Sequence, residues 1–154
     1  MGIKHSIMYY LAKRDHSERE LKTKLRRLKD FQDKKKPRYT PEEIEEGVTW
    51  AIENKWLKPK EQLSESVARS LHNKNKGIRY INGYLSQKGL PPQSEDEEQE
   101  LEKAIRLLRR KILNRTMDSN LKLKLSRFLI SRGFGSAIVA KALKRSEEHT
   151  SELQ

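Results

Sequence analysis

The chain has 154 residues, a formal net charge of +12, 36% charged and 34% hydrophobic residues, and no cysteine. So thin an apolar supply excludes one large globular core, and the missing thiols exclude disulfides and thiolate metal sites. A charge this positive bears on partners, not on fold, and points to nucleic acid, an anionic membrane or an acidic protein surface.

Ile3, Ile7 and Leu11, with Tyr10 beside them, recur at the spacing of one helix face and predict a first helix over 3–13. Ser17 and Glu20 are the S-x-x-E pair of a capping box, which starts a second helix with the stripe Leu21, Leu25 and Leu28, expected to run to Phe31. Asp33 to Pro37 is a charged loop. Thr40-Pro41-Glu42-Glu43 combines a capping residue, a proline at the first helical position and a glutamate three residues on, a strong start for a third helix. Its expected stripe is Ile44, Val48, Ala51 and Ile52. Trp56 to Pro59 interrupts it, and Leu63, Val67 and Leu71 mark a fourth helix.

Asn73 to Gly77 is a basic turn. Ile78, Ile81 and Leu85 form the next stripe, closed by Gly89, which suits a left-handed residue just past a helix end. Beyond Pro91-Pro92, Ser94 and Glu97 are expected to cap a longer helix carrying Leu101, Ile105, Leu108 and Ile112. Asp118 or Ser119 caps a helix with Leu121, Leu125, Phe128, Leu129 and Arg132, ended by Gly133. A last helix runs from about Ser136 through Ile138 and Leu143. No segment alternates with period two among strand formers and turn signals. The class is therefore all-α, with about eight mostly short helices. Such helices are marginal alone, so their stripes must pack into small three-helix units.

One ending occurs twice, as Lys88-Gly89-Leu90 and Arg132-Gly133-Phe134, with Lys29-Asp30-Phe31 as a degenerate third copy. Recurrence of a helical unit predicts a tandem array. The expected division is 1–57, a shortened 58–92, and 93–144. Residues 145–154 resemble the in-frame translation of a common sequencing-library adapter and are expected to be a non-native tail, so that the natural C-terminus lies elsewhere. No apolar run approaches the roughly 20 residues that cross a bilayer, and the N-terminus has no apolar stretch of a secretory signal. A cytoplasmic protein that does not enter the membrane is expected.

The residues show no catalytic constellation. His5, His16, His72 and His149 are scattered and form no metal-binding pair, so neither metal nor cofactor is expected. His16 reads as a local cap. Lys76-Gly77 lacks the preceding strand of a phosphate loop. Glu42, Glu43, Glu45, Glu46 and the run Glu95 to Glu100 crowd helix starts, where they complement the helix dipole. The basic residues are more telling, because each lysine or arginine that neutralises a phosphate releases counterions and gives salt-sensitive binding without sequence readout. Arg14, Lys24, Arg69, Lys76, Arg79, Lys88, Arg127 and Arg132 are the candidate contacts with DNA phosphates or an acidic protein face. Tyr9, Tyr10, Tyr80, Tyr84, Trp50 and Trp56 could stack on bases, but their helical spacing favours core packing.

Three ordered blocks carry a resemblance. Tyr10-Leu11-Ala12-Lys13-Arg14-Asp15-His16-Ser17-Glu18-Arg19-Glu20-Leu21-Lys22-Thr23-Lys24-Leu25, then Lys76-Gly77-Ile78-Arg79-Tyr80-Ile81 with Leu85 and Lys88-Gly89-Leu90, then Arg127-Phe128-Leu129-Ile130-Ser131-Arg132-Gly133-Phe134, resemble the signatures of the RecX regulatory proteins. The resemblance implies three tandem three-helix repeats in a curved, elongated array. It implies a monomeric, non-enzymatic bacterial protein of DNA repair and the SOS response. Its partner would be the RecA recombinase filament, in whose groove it lies, limiting extension and suppressing ATPase and strand exchange. Contact with single- or double-stranded DNA would be weak and salt-sensitive. The alternative is a nucleic-acid-binding helical module that acts independently of RecA. Two features depart from the family. The loop Gln32 to Tyr39 is longer and more basic, and the stretch after Gly89-Leu90 is short. The middle repeat's third helix is expected to be missing, or merged into a helix over about 94–114.

Overall fold

The structure, a computed structural model, describes residues 2–113 and 115–153, with 149–153 described by backbone alone. Eight α-helices order them: α1 (Ile3–Lys13), α2 (Glu18–Arg27), α3 (Pro41–Glu53), α4 (Lys60–Asn73), α5 (Ile78–Gln87), α6 (Glu97–Ile112), α7 (Ser119–Ser131) and α8 (Ser136–Leu153). The described residues form an all-α fold of three-helix repeats, whose one strand-like feature is an isolated bridge between Lys29 and Pro37. No described helix is long and apolar enough to cross a membrane.

Local chemistry sets most helix ends. In α2 the Glu20 N–H donates to the Ser17 hydroxyl at 3.1 Å, while the Glu20 carboxylate accepts from the Ser17 N–H at 3.3 Å. Thr40 and Glu43 exchange the same two bonds at 3.1 Å each at the start of α3. Each such cap is worth about 1 kcal/mol because it satisfies backbone donors that the helix leaves orphaned. Asp118 caps α7 by accepting from the Leu121 N–H at 2.8 Å. At α6 the cap is Asp96, which accepts from the Gln99 N–H, and not Ser94 as expected. Residues 90–96 take no regular structure, so no helix stands between α5 and α6.

The chain divides into two compact units, Met1–Ser64 with Ser86–Pro91, and Glu65–Leu85 with Pro92–Gln154. In the first unit α1, α2 and α3 bury Ile7, Leu21, Leu25, Ile44, Val48 and Ala51 around Tyr39. Burial of each large aliphatic side chain stabilises by roughly 1.5–3 kcal/mol. Ile52, expected on this stripe, is 47% exposed. In the second unit α6 packs chiefly on α8 and also on α7, around Leu101, Leu108, Leu125, Leu129, Phe134 and Ile138.

The two glycine endings are formed as expected: Gly89 has φ +71° and Gly133 φ +99°, in the left-handed region that glycine tolerates. The degenerate copy is not an ending of this kind. α2 stops at Arg27, Leu28 is extended, and Phe31 is 71% exposed. Without glycine the chain turns on Asp30, whose carboxylate accepts the Gln32 and Asp33 N–H groups and so competes with a further helical turn. The backbone then returns, with the Asp30 N–H on the Lys36 carbonyl and the Arg38 N–H on the Leu28 carbonyl.

The tail's backbone continues α8 to Leu153, and Glu147 pairs with Lys122 at 2.7 Å. The His149 side chain and Gln154 lie outside the described residues.

Candidate functional site

Six of the eight candidate cations gather at two places, one in each unit. In the first unit Glu20 is the organising group. One carboxylate oxygen serves the Ser17 cap, and the other binds Arg14 at 2.9 Å and Lys88 at 3.3 Å. Burial opposes its charge, but the bonds from Arg14, Ser17 and Lys88 together hold its pKa below the ordinary range.

Lys24, one helical turn beyond Glu20, donates to Nε2 of His16 at 2.8 Å, while His16 Nδ1 lies 3.0 Å from the Arg14 carbonyl. Those partners define the neutral tautomer, with the proton on Nδ1 and the Nε2 lone pair on Lys24. His16 is 2% exposed; burial lowers its pKa, the bond to the Arg14 carbonyl opposes this, and the charges of Arg14 and Lys24 add to the lowering. It is therefore a buried link between two basic residues, a larger role than the cap expected of it. Burial and then Arg14 likewise lower the Lys24 pKa. Arg14, Lys24 and Lys88 thus converge on one carboxylate and one neutral imidazole, leaving local positive charge in excess. Lys22 differs, because Glu18 and Glu45 both hold it at 3.1 Å.

In the second unit Lys76, Arg79 and Arg132 meet where two glycines touch. The Gly77 N–H donates to the Arg132 carbonyl at 2.9 Å, and the Arg79 N–H to the Gly133 carbonyl at 3.0 Å. A Cβ on Gly77 would stand 2.3 Å from the Gly133 carbonyl, and one on Gly133 would stand 2.5 Å from Tyr80. Only two glycines permit this backbone approach. The Lys76 ammonium lies 4.6 Å from the centre of the Tyr80 ring, and the Arg132 guanidinium 5.7 Å from that of Phe128. The Arg132 Nε is buried and has no acceptor among the described residues. Arg69 and Arg127 are exposed on α4 and α7 and join neither cluster by a hydrogen bond or ion pair among the described residues.

Core packing does not hold for most of the aromatic residues. Tyr9 is 54% exposed, Trp56 49%, Tyr80 40% and Tyr84 36%. Tyr80 and Tyr84 are four apart on the outward face of α5, while Ile78, Ile81 and Leu85 take the inward one.

Beneath the second cluster is a buried group that sequence reasoning missed. Lys103 is fully buried and pairs with Glu100, and it donates to His72 Nδ1 at 2.7 Å and to the Lys76 carbonyl at 2.6 Å. Glu100 accepts the Ile78 N–H at 2.7 Å. The pair therefore grips the backbone on both sides of Gly77. Burial lowers the Lys103 pKa against the pull of Glu100, and it lowers that of His72 with help from Lys103. The spacing of Glu100, Lys103 and Leu107 on a core-facing stripe was the available signal. Its place in the run Glu95 to Glu100 groups Glu100 instead with the acids that face the helix dipole.

Residues 97–143, covering α6, α7 and the start of α8, match the RecX third three-helix domain. Over this stretch the chain is similar to the RecX family. The fold is likewise that of RecX. The crystal structure of RecX from Lactobacillus salivarius superposes with a TM-score of 0.71 at 21% identity, covering 92% of each chain. A crystal structure of regulatory protein RecX superposes with a TM-score of 0.69 at 18% identity, covering 92% of this chain and 70% of that one. Glu100, Lys103, Arg127, Arg132 and Gly133 fall inside the RecX-matched stretch. The other six candidate cations precede it.

Proposed function

We propose that this protein is a RecX-type regulator that binds a RecA–DNA recombinase filament and restrains it, mostly by inhibiting extension, ATP hydrolysis and strand exchange. The match of residues 97–143 to a RecX domain carries this reading. The two basic clusters support it, since each sets cations on backbone held by buried or capped neighbours. Arg14, Lys24 and Lys88 form one contact group and Lys76, Arg79 and Arg132 the other, with Arg69 and Arg127 as outlying contacts. They meet DNA phosphates or acidic recombinase surface. The protein acts in the cytoplasm as a monomeric regulator, not an enzyme, and α1–α3, α4–α5 and α6–α8 serve as first, shortened middle and last repeats. Titrating the protein into cognate recombinase on single-stranded DNA and following ATP hydrolysis tests the reading. Progressive inhibition is expected, and unchanged hydrolysis at stoichiometric excess would end it.

A recombinase-independent nucleic-acid-binding role is the second reading. It is favoured by exposed tyrosines that carry lysines, Lys13 over Tyr9 at 4.5 Å and Lys76 over Tyr80 at 4.6 Å. It requires tight binding to bare DNA that weakens steeply with salt.

A further inference from the structure

A cavity of about 170 Å³ opens in the first unit between α1 and the loop that joins α2 to α3. Tyr9 from the helix and Phe31 from the loop line it, at 54% and 71% exposure. Single exposed apolar side chains are ordinary, but two open aromatic rings lining one cavity form the kind of contiguous patch that marks a binding site. The floor is polar, because the Ser6 and Tyr39 hydroxyls meet there at 2.6 Å, with Tyr39 buried. Arg38 supplies a cation from the lining itself, and Lys13 supplies another from beside Tyr9, outside the lining. Lys13 lies 4.5 Å from the Tyr9 ring centre and Arg38 4.0 Å from that of Phe31. Arg38 is fixed there by its Nε–H bond to the Lys29 carbonyl at 3.0 Å. No carboxylate lines the cavity, and the same loop carries exposed Lys34, Lys35 and Lys36.

Aromatic walls, hydroxyls at the base and cations at the mouth suit one kind of occupant: a planar, hydrogen-bonding group attached to an anionic chain. We propose that this cavity receives an unpaired base of a single-stranded nucleic acid, stacked against Tyr9 and Phe31, with the flanking phosphates on Lys13 and Arg38. A duplex keeps its bases stacked inside, so the site selects single strands. Neither Tyr9, Phe31 nor Arg38 belongs to the clusters around Glu20 and Gly77, and the site stands without the filament reading.

The binding measurement omits recombinase, and filament inhibition is assayed separately. Binding of a labelled thymidine oligonucleotide is measured by fluorescence anisotropy against an abasic oligonucleotide of equal length and charge. The wild type is expected to prefer the bases by roughly five-fold or more, the scale of one base stacked on an aromatic ring. Tyr9→Ala with Phe31→Ala should bring the two affinities together while leaving abasic binding unchanged. Tyr9→Phe with Phe31→Tyr, which keeps both rings and guards against a folding defect, should retain the preference. Equal binding of both oligonucleotides by the wild type overturns the proposal. A preference that survives the double alanine change places the base elsewhere and overturns it as well. Loss of filament inhibition in the alanine variant, with no base preference in the wild type, assigns the cavity to a protein partner instead.

Discussion

The buried ammonium of Lys103 donates to the backbone carbonyl of Lys76 at 2.6 Å, so one lysine that never meets solvent positions another that does. Glu100, three residues before Lys103 on α6, completes the grip through the Ile78 N–H. Lys103→Met would leave the Glu100 carboxylate buried without its partner. The expected loss is about 3–5 kcal/mol, the usual cost of breaking a buried pair from one side. Lys103→Met with Glu100→Gln should cost less, because no uncompensated charge remains. Urea unfolding of the three proteins gives the comparison, and a loss within about 0.5 kcal/mol for the single change would mean that the pair is not a structural clamp.

Glycine substitutions should separate by location. Gly77→Ala and Gly133→Ala each force a Cβ into backbone or Tyr80 at 2.5 Å or less, and Gly133 also has positive φ. Each should destabilise by about 2 kcal/mol or more. Gly83→Ala, on an open face of α5 with nothing within 4 Å, should stabilise by about 0.5–1 kcal/mol. Thermal melts decide, and a harmless Gly77→Ala would contradict the close approach.

Acidification should weaken the fold before the carboxylates titrate. His16 and His72 both have pKa values lowered chiefly by burial, with Lys24 and Arg14 facing the first and Lys103 the second. The bond to the Arg14 carbonyl and then Glu20 pull the other way on His16, and Glu100 and Asp96 do so on His72, without reversing either direction. The unfolded chain therefore takes up protons from about pH 6.5 downward, before the folded state does. Where the unfolded state binds more protons, stability falls with pH. The histidine contribution is whole above about pH 6.5 and is lost as pH drops through the folded values. Glu18 and Glu20, also lowered, act only below about pH 4.3. Melting temperature should decline between about pH 7 and pH 5.5, and His16→Gln with His72→Gln should flatten that slope. An unaltered slope would place the titrating groups elsewhere.

Cations should matter by cluster, not by charge alone. Lys76→Ala with Arg79→Ala removes two charges from the Gly77–Gly133 junction, and should weaken filament inhibition and lower the salt slope of DNA binding by about 2. The helical circular dichroism spectrum should be unchanged. Lys22→Ala, whose charge is already held by Glu18 and Glu45, should leave both readouts near wild type. Equal effects from the two variants would reduce the interaction to net charge.

Much of the fold was legible because helix ends are decided within a few residues. The Ser17–Glu20 and Thr40–Glu43 boxes, the Asp118 cap and the left-handed Gly89 and Gly133 are local events, and each is formed as read. The false third ending shows the same logic in reverse, since Asp30 turns the chain where glycine is absent. Residues outside that range were misread. Tyr80 and Tyr84 share a stripe that faces outward, and periodicity alone does not say which of two stripes is the inner one. Glu100 looked like one acid among several at a helix start.

By itself, then, the sequence determined the all-α class, most of the helix boundaries and the excess of positive charge, because those follow from composition and from bonds between near neighbours. Tertiary structure alone decided that Glu20 gathers Arg14 and Lys88, that Gly77 lies on Gly133, and that Lys103 is buried beneath Lys76. Most of these contacts join residues that only packing brings together, and for Lys103, buried with Glu100, burial also removes the water that would otherwise screen the charges.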